Sequence, residues 1–303
     1  MDGDIRPCGN VAHDRTGQTP CVADLFASSR SGPACLPGVE QQTVSRTLDQ
    51  PPEIGSRARS IFRAFHHDTH RYGSRMTTLI IATRNAHKVV EICAILGRGY
   101  RILSLQDFPE APPVVEDQPT FAKNAAKKAR ELAKWLQYRP DLEFRVPGAS
   151  ASVLADDSGL EVDALNGAPG VHSARFAALD SGAAGNSSDA DNNAKLLRLL
   201  KEVPLEKRTA RFRCTLSVMR VKPPERTLSG FLFEGTCEGH IQLGAAGQGG
   251  FGYDPLFIPR GQTQSFAQLG DDVKNRISHR AQALAKMHAA LQSLITGSDM
   301  PGV

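Results

Sequence analysis

Apolar positions fall into short, ordered runs from residue 76 onward, whereas residues 1–75 carry no sustained period. Thr78-Leu79-Ile80-Ile81-Ala82 is apolar and rich in β-formers, which predicts a strand. The polar break Thr83-Arg84-Asn85 follows. Val89, Ile92, Cys93 and Leu96 then recur at helical spacing, with Gly97 placed as a C-terminal cap. Thr120 is a good N-cap for a second helix over 121–137. A Gly/Ser loop over 145–152 leads to Val153-Leu154-Ala155, which reads as a strand ending in a turn at Asp156-Asp157-Ser158-Gly159. Leu160 and Val162 alternate beyond it against Glu161 and Asp163. Residues 186–202 predict a helix with Leu196, Leu197, Leu199 and Leu200 facing inward. Residues 209–221 alternate Phe212, Cys214, Leu216 and Val218 against Arg211, Arg213, Thr215 and Ser217, as a half-buried strand does. Residues 231–234 and 239–243 are its expected partner strands. Ser278 caps a last helix carrying Leu284, Met287, Leu291, Leu294 and Ile295. No internal repeat occurs. Mixed strands and helices predict a single α/β domain with two lobes.

Composition narrows the class. The 303 residues are 40% hydrophobic and 22% charged, ordinary for a globular protein with a substantial core. No apolar run approaches the roughly 20 residues of a membrane helix, so no membrane partner is expected. A net charge of +4 suits small anions but is too weak to argue for a nucleic-acid surface. None of the six cysteines (Cys8, Cys21, Cys35, Cys93, Cys214, Cys237) forms a CxxC pair, which excludes zinc ribbons and redox motifs. Free thiols and an acidic start without an apolar h-region predict a cytoplasmic location. Residues 1–75 contain no lysine and are rich in Arg, Ser, Pro and Gly, so they read as a disordered extension. Within it, His66, His67 and His70 read as solvated side chains, and Met76 is a candidate natural start.

Four constellations carry candidate chemistry. Thr83-Arg84-Asn85-Ala86-His87-Lys88 sits where a helix N-terminus offers backbone amides and partial positive charge to phosphate. Asp156-Asp157-Ser158, with Glu116 and Asp117, offers oxygen ligands suited to Mg²⁺, although an Asx turn and a helix-dipole role also account for them. Gly247-Gln248-Gly249-Gly250-Phe251-Gly252-Tyr253-Asp254-Pro255 formally matches a GxGxxG pattern. Pro255 stands where a helix would have to open, so the run points to backbone near a planar ligand or to a plain glycine-rich hairpin. Lys274 and Ser278-His279-Arg280 place donors at a helix start. No P-loop, GxSxG elbow or HExxH helix is present.

In this order, the four constellations resemble the dITP/XTP pyrophosphatase (inosine triphosphatase) family. Two further segments add to the likeness, Thr120-Phe121-Ala122-Lys123-Asn124-Ala125 and Gly167-Ala168-Pro169-Gly170-Val171-His172-Ser173-Ala174-Arg175. The resemblance spans 77–297. It implies a mixed-sheet fold with a nucleotide cleft between two lobes, a homodimer, and Mg²⁺-dependent cleavage of deaminated purine triphosphates to monophosphate and pyrophosphate. By position it implies Asp157 as general base and metal ligand, Glu116 as second ligand, and Ser158 touching substrate. The Thr83–Lys88 turn would hold the triphosphate. Phe251, Gly252, Tyr253 and Asp254, with Lys274, His279 and Arg280, would bind the nucleotide and read its base. Arg84 departs from the small residue usual there, and Glu116 and Asp117 compete for the metal role. A nucleotide-sensing module and a pyrophosphatase of modified pyrimidines are the alternatives.

Overall fold

The computed structural model describes residues 77–139, 151–221 and 230–296. The expectations for residues 1–75, for most of the 145–152 loop, and for the side chains of Leu294 and Ile295 lie outside the described residues. Six strands form one mixed sheet: β1 (Thr78–Ile81), β2 (Arg101–Ser104), β3 (Ala151–Val162), β4 (Thr209–Arg220), β5 (Gly230–Ile241) and β6 (Phe257–Pro259). Their order is β2-β1-β3-β4-β5-β6. β2, β1 and β3 run parallel, and β3 to β6 pair antiparallel. The helices are α1 (Ala86–Leu96), α2 (Phe121–Gln137), α3 (Ala178–Ser181), α4 (Asp189–Leu199), α5 (Phe266–Leu269), α6 (Asp271–Ile277) and α7 (His279–Thr296). Among the described residues no helix is long and apolar enough to cross a membrane.

Three 12-residue strands, β3, β4 and β5, contribute to the apolar cores described below. Val153 and Ala155 face α2, where Ala129, Leu132 and Leu136 complete the first core. Leu154, on the opposite face of the pleat, joins Leu79, Ile92, Leu216, Leu284 and Met287 in the second. Farther along that face, Leu160 and Val162 enter a third core with Leu196, Phe212, Phe257 and Phe266. Between the second and third cores lie Asp156 and Ser158. The acids therefore occupy the middle of a continuous strand, paired with β4 so that Asp156 lies opposite Leu216 and Asp157 opposite Thr215. The expected turn is absent there: polar side chains interrupt the apolar pattern, but pairing with β4 continues through them, while pairing with β1 ends at Leu154 and leaves that flank open. Because successive side chains alternate faces, the two acids point in opposite directions.

Other expectations shift for similar reasons. The segments at 231–234 and 239–243 are one strand, since Gly235 and Gly239 break the apolar signal without breaking the ladder. Leu243 lies past its end and is exposed. Leu199 is 45% exposed because the inward face of α4 is already filled by Leu196 and Leu200. Thr215 and Ser217 are buried along with their apolar neighbours, because helices cover both faces of β4. Gly97 does end α1, with φ +59° and its N–H on the Cys93 carbonyl.

Gly235 lets α7 lie directly on β5. A Cβ there would overlap the carbonyl oxygen of His279 and approach the Ala283 nitrogen to 2.6 Å. Both are backbone atoms that no rotamer change can move. Gly235→Ala is expected to cost about 1–3 kcal/mol, as overpacking does, and to shift His279 and Arg280 with the helix. A urea midpoint unchanged from wild type would contradict this.

Candidate active site

The middle of β3 opens on one side into a cavity of about 730 Å³. Every residue to which the family resemblance gives a role in the site, except Ala86 and His87, borders it.

On the face shared with Leu154, Asp156 is fully buried and anchors a network. Lys88 Nζ donates to its Oδ1 at 2.6 Å, and Arg280 Nε donates to its Oδ2 at 2.9 Å. Ser158 Oγ donates to Oδ1 at 2.9 Å while accepting from Arg280 Nη2 at 2.9 Å. Arg280 Nη1 is bound by Glu91, and Lys274 Nζ lies 2.5 Å from both Glu91 and Asp254. Two buried cations, Lys274 and Arg280, and the half-buried Lys88 thus meet three buried acids, and the charges balance. Burial by itself would raise the Asp156 and Glu91 carboxyls. The adjacent cations, Arg280 foremost, outweigh it and hold both below the usual range, Asp156 well below. Burial would likewise depress Lys88, but Asp156 keeps it raised. Asp254 is raised by its burial, against the pull of Lys274.

On the opposite face, Asp157 meets a different set. Lys128 Nζ lies 3.3 Å from Asp157 Oδ1 and 3.2 Å from Glu116 Oε1, and donates to the Asp156 carbonyl at 2.8 Å. Burial dominates at Asp157 and, with the neighbouring Glu116 charge, raises its carboxyl to about 6 despite Lys128 and Lys88. Glu116 is 40% exposed at its side chain. Burial would raise its carboxyl too, but the Lys128 charge and its other partners outweigh that and lower it. The two carboxyls titrate as a pair, with the raised value at Asp157. Asp157 Oδ2 is buried without a hydrogen-bond partner.

The β1–α1 turn forms another wall. Asn85 Oδ1 accepts from the His87 and Lys88 amides at 2.9 and 3.2 Å, and Thr83 Oγ1 accepts from the Asn85 amide. Two of the helix-end amides expected to be free are thus already capped by Asn85. Arg84 is exposed and donates to the Ala111 carbonyl at 2.7 Å. Across the mouth, His87 stacks on Phe251 with ring centres 5.3 Å apart. The Phe251 ring also receives Lys274 Nζ at 4.5 Å. Tyr253 is buried, and its hydroxyl donates to the Ser173 carbonyl at 2.9 Å. His279 stacks on Phe212, and its Nδ1 is buried and unpartnered. Burial, then Arg280 and Lys274, hold its imidazole well below the usual histidine range, so it stays neutral.

The structure separates the two acids that sequence left in competition. Asp117 is half-exposed and paired with Lys127 at 2.8 Å and with Gln118, whereas Glu116 turns toward Asp157. Sequence reasoning passed over Lys128 and Glu91. A signal existed for each: Lys128 is a lysine on the apolar face of α2, one turn after buried Asn124, and Glu91 follows Lys88 by three residues on α1. Arg175, which borders the cavity and donates to the Glu116 carbonyl at 3.1 Å, stands in the matching segment 167–175 without an assigned role.

Comparison with known proteins places this arrangement. The Ham1 family profile matches residues 79–290. A protein of Geobacillus kaustophilus named dITP/XTP pyrophosphatase is 45% identical over 223 residues, 73% of this chain and 98% of that one. A protein of the same name from Exiguobacterium sibiricum is 47% identical over 218 residues, 72% and 98% of the two chains. Among solved structures, the Staphylococcus aureus Ham1 protein superposes with a TM-score of 0.56 at 34% identity, over 71% of this chain and 98% of that one. A HAM1 protein from Coxiella burnetii gives 0.58 at 33% identity, over 72% and 100%. The family profile, the identities and the superpositions agree, and this chain belongs to the Ham1 family.

Proposed function

We propose that residues 77–297 form a Mg²⁺-dependent nucleoside triphosphate pyrophosphatase that cleaves deaminated purine triphosphates (dITP, ITP, XTP) to monophosphate and pyrophosphate. The observation that carries it is the Asp157–Glu116 pair, facing a nucleotide-sized cavity with one buried carboxylate oxygen unsatisfied. Two relatives at 45–47% identity named dITP/XTP pyrophosphatase support the substrate class.

The donor set fits Mg²⁺. Asp157 and Glu116 are hard oxygen ligands, and Lys128 already lies between them as a cation. No third His, Cys, Asp or Glu joins them among the described residues, which suits an ion that keeps waters and binds phosphate oxygens. Bound there, the ion would supply charge stabilisation at the phosphates. Asp157, ionised above pH 6, takes the proton of the attacking water. Lys88, fixed by Asp156, faces the phosphates with positive charge. Ser158, held by Arg280 and Asp156, borders the same cavity. Neutral His279, with its Nδ1 unpartnered, and the Phe251 ring provide a base site, where a donor aimed at a 6-oxo group is left unpaired by adenine. A homodimer is part of the proposal, with neighbouring Phe231 and Leu232, 48% and 51% exposed on β5, available for burial. So is a cytoplasmic site of action, compatible with the free thiols of Cys93, Cys214 and Cys237.

A substrate panel tests the reading: pyrophosphate release with Mg²⁺ from dITP and XTP should exceed that from dATP and from modified pyrimidine triphosphates by about tenfold or more. Nucleotide binding without product, or a pyrimidine preference, would overturn it. Within the site, Glu116→Gln should weaken Mg²⁺ binding by about tenfold, whereas Asp117→Asn should change it less than about twofold. Calorimetric titration of both variants with Mg²⁺ checks the assignment, and the reverse order would move the metal ligand to Asp117.

A further inference from the structure

Helix α4 carries no residue of the proposed chemistry, yet its first turns reach into the cavity wall. Asp189 Oδ2 accepts from the Gly252 amide at 2.6 Å, and Asn193 Nδ2 donates to the Gly252 carbonyl at 3.0 Å. The i, i+4 spacing puts both side chains on one face of the helix, so a single residue of the glycine-rich loop is gripped by its N–H and its C=O together. Gly252 has φ +64°, a conformation that side-chain-bearing residues rarely adopt, and no atom lies near its missing Cβ. The grip, rather than packing, sets this peptide. On either side the loop is held separately: Asp254 Oδ2 accepts from the Phe251 amide at 2.9 Å, and Tyr253 is anchored through its hydroxyl. Phe251 is left as the loop's projection into the cavity mouth, against His87 and Lys274.

We propose that Asp189 and Asn193 are positioning residues that fix the Gly252 peptide and thereby aim the Phe251 ring at the base of the substrate. The proposal rests on the pyrophosphatase reading only for the identity of the ligand. The neighbouring Asn192 turns to the other wall, accepting from the Ala177 amide and donating to the Ala174 carbonyl, so α4 ties two sides of the cleft to one rigid rod. Charge adds to the grip, because the Asp189 carboxylate makes a charge-assisted bond to a backbone N–H.

The test is steady-state kinetics of the full chain with dITP and Mg²⁺. Asp189→Ala and Asn193→Ala should each raise KM by about tenfold with kcat within about threefold of wild type, the pattern of binding lost equally from ground and transition states. Asp189→Asn, which keeps an acceptor oxygen, should restore KM to within about threefold of wild type. In a Phe251→Ala background, Asp189→Ala should add less than about twofold, because the ring it aims is gone. Additive effects in that double variant, or an unchanged KM in Asp189→Ala, would overturn the proposal. A wild-type protein inactive on dITP would instead sink the functional reading. The grip would then be tested by direct binding of whichever nucleotide the panel identifies, with the same double variant and the same overturning result.

Discussion

Asp157→Asn is expected to lower pyrophosphate release from dITP by about a thousandfold or more and, at the same time, to make the metal-free protein more stable above pH 6. The first effect combines loss of a general base, worth about 10²–10⁴-fold, with loss of a metal ligand. The second follows from linkage. The Asp157 carboxyl lies at about 6 in the folded chain against an ordinary 3.8, so folding favours its protonated form. That preference stabilises the fold fully below pH 3.8 and is lost as pH rises through 6, where the buried side chain must ionise. A tenfold change in a protonation equilibrium is worth about 1.4 kcal/mol, so the loss is on the order of 3 kcal/mol. Asparagine does not ionise and escapes it. Melting temperatures of wild type and variant should converge near pH 4 and separate by several degrees at about pH 8, the variant higher. Mg²⁺ should then close the gap by binding wild type alone. A variant that still turns over dITP, or melting curves that track together at every pH, would remove Asp157 from the proposed role.

Much of this was legible in the chain, and the exceptions have physical causes. Local signals placed α1, α2 and α7, because caps such as Asn85, Thr120 and Ser278 act over three or four residues. The pattern predicts an end to β3 at Asp156-Asp157-Ser158, because polar residues ordinarily close a buried element, whereas the strand runs on to Val162. There they mark the seam between two cores on one face and a carboxylate pair on the other. The faces of the two acids follow from pleat alternation once the strand is known to continue. What sequence could not give was the company each keeps: Asp156 meets Arg280 from 124 residues away, and Asp157 meets Lys128 from 29. Such pairings depend on tertiary closure and leave no periodic trace.

Arg280→Met is expected to be the most destabilising single change at the site, by about 3–5 kcal/mol at neutral pH. Arg280 is 1% exposed, and its guanidinium reaches Asp156, Ser158 and Glu91 at once. Methionine fills similar space but leaves three buried acids facing only Lys88 and Lys274. The pH dependence should invert. In wild type the lowered carboxyls of Asp156 and Glu91 contribute stability that is present above their unfolded values and lost as acid protonates them. Without the guanidinium, burial becomes the stronger influence and raises the same groups, so acidification relieves the fold instead of weakening it. The deficit measured by urea unfolding should therefore be largest near about pH 7.5 and shrink by about pH 5. Glu91→Gln added to Arg280→Met should recover part of the loss, since it removes one of the two carboxylates that the guanidinium had paired. A deficit below about 1 kcal/mol, or one that grows in acid, would mean that packing and not charge balance decides the fate of this network. Because Ser158 and Lys88 are both aimed by Asp156, the same substitution should also depress turnover in whatever fraction remains folded. The charge network behind β3 and the chemistry in front of it thus depend on a single guanidinium.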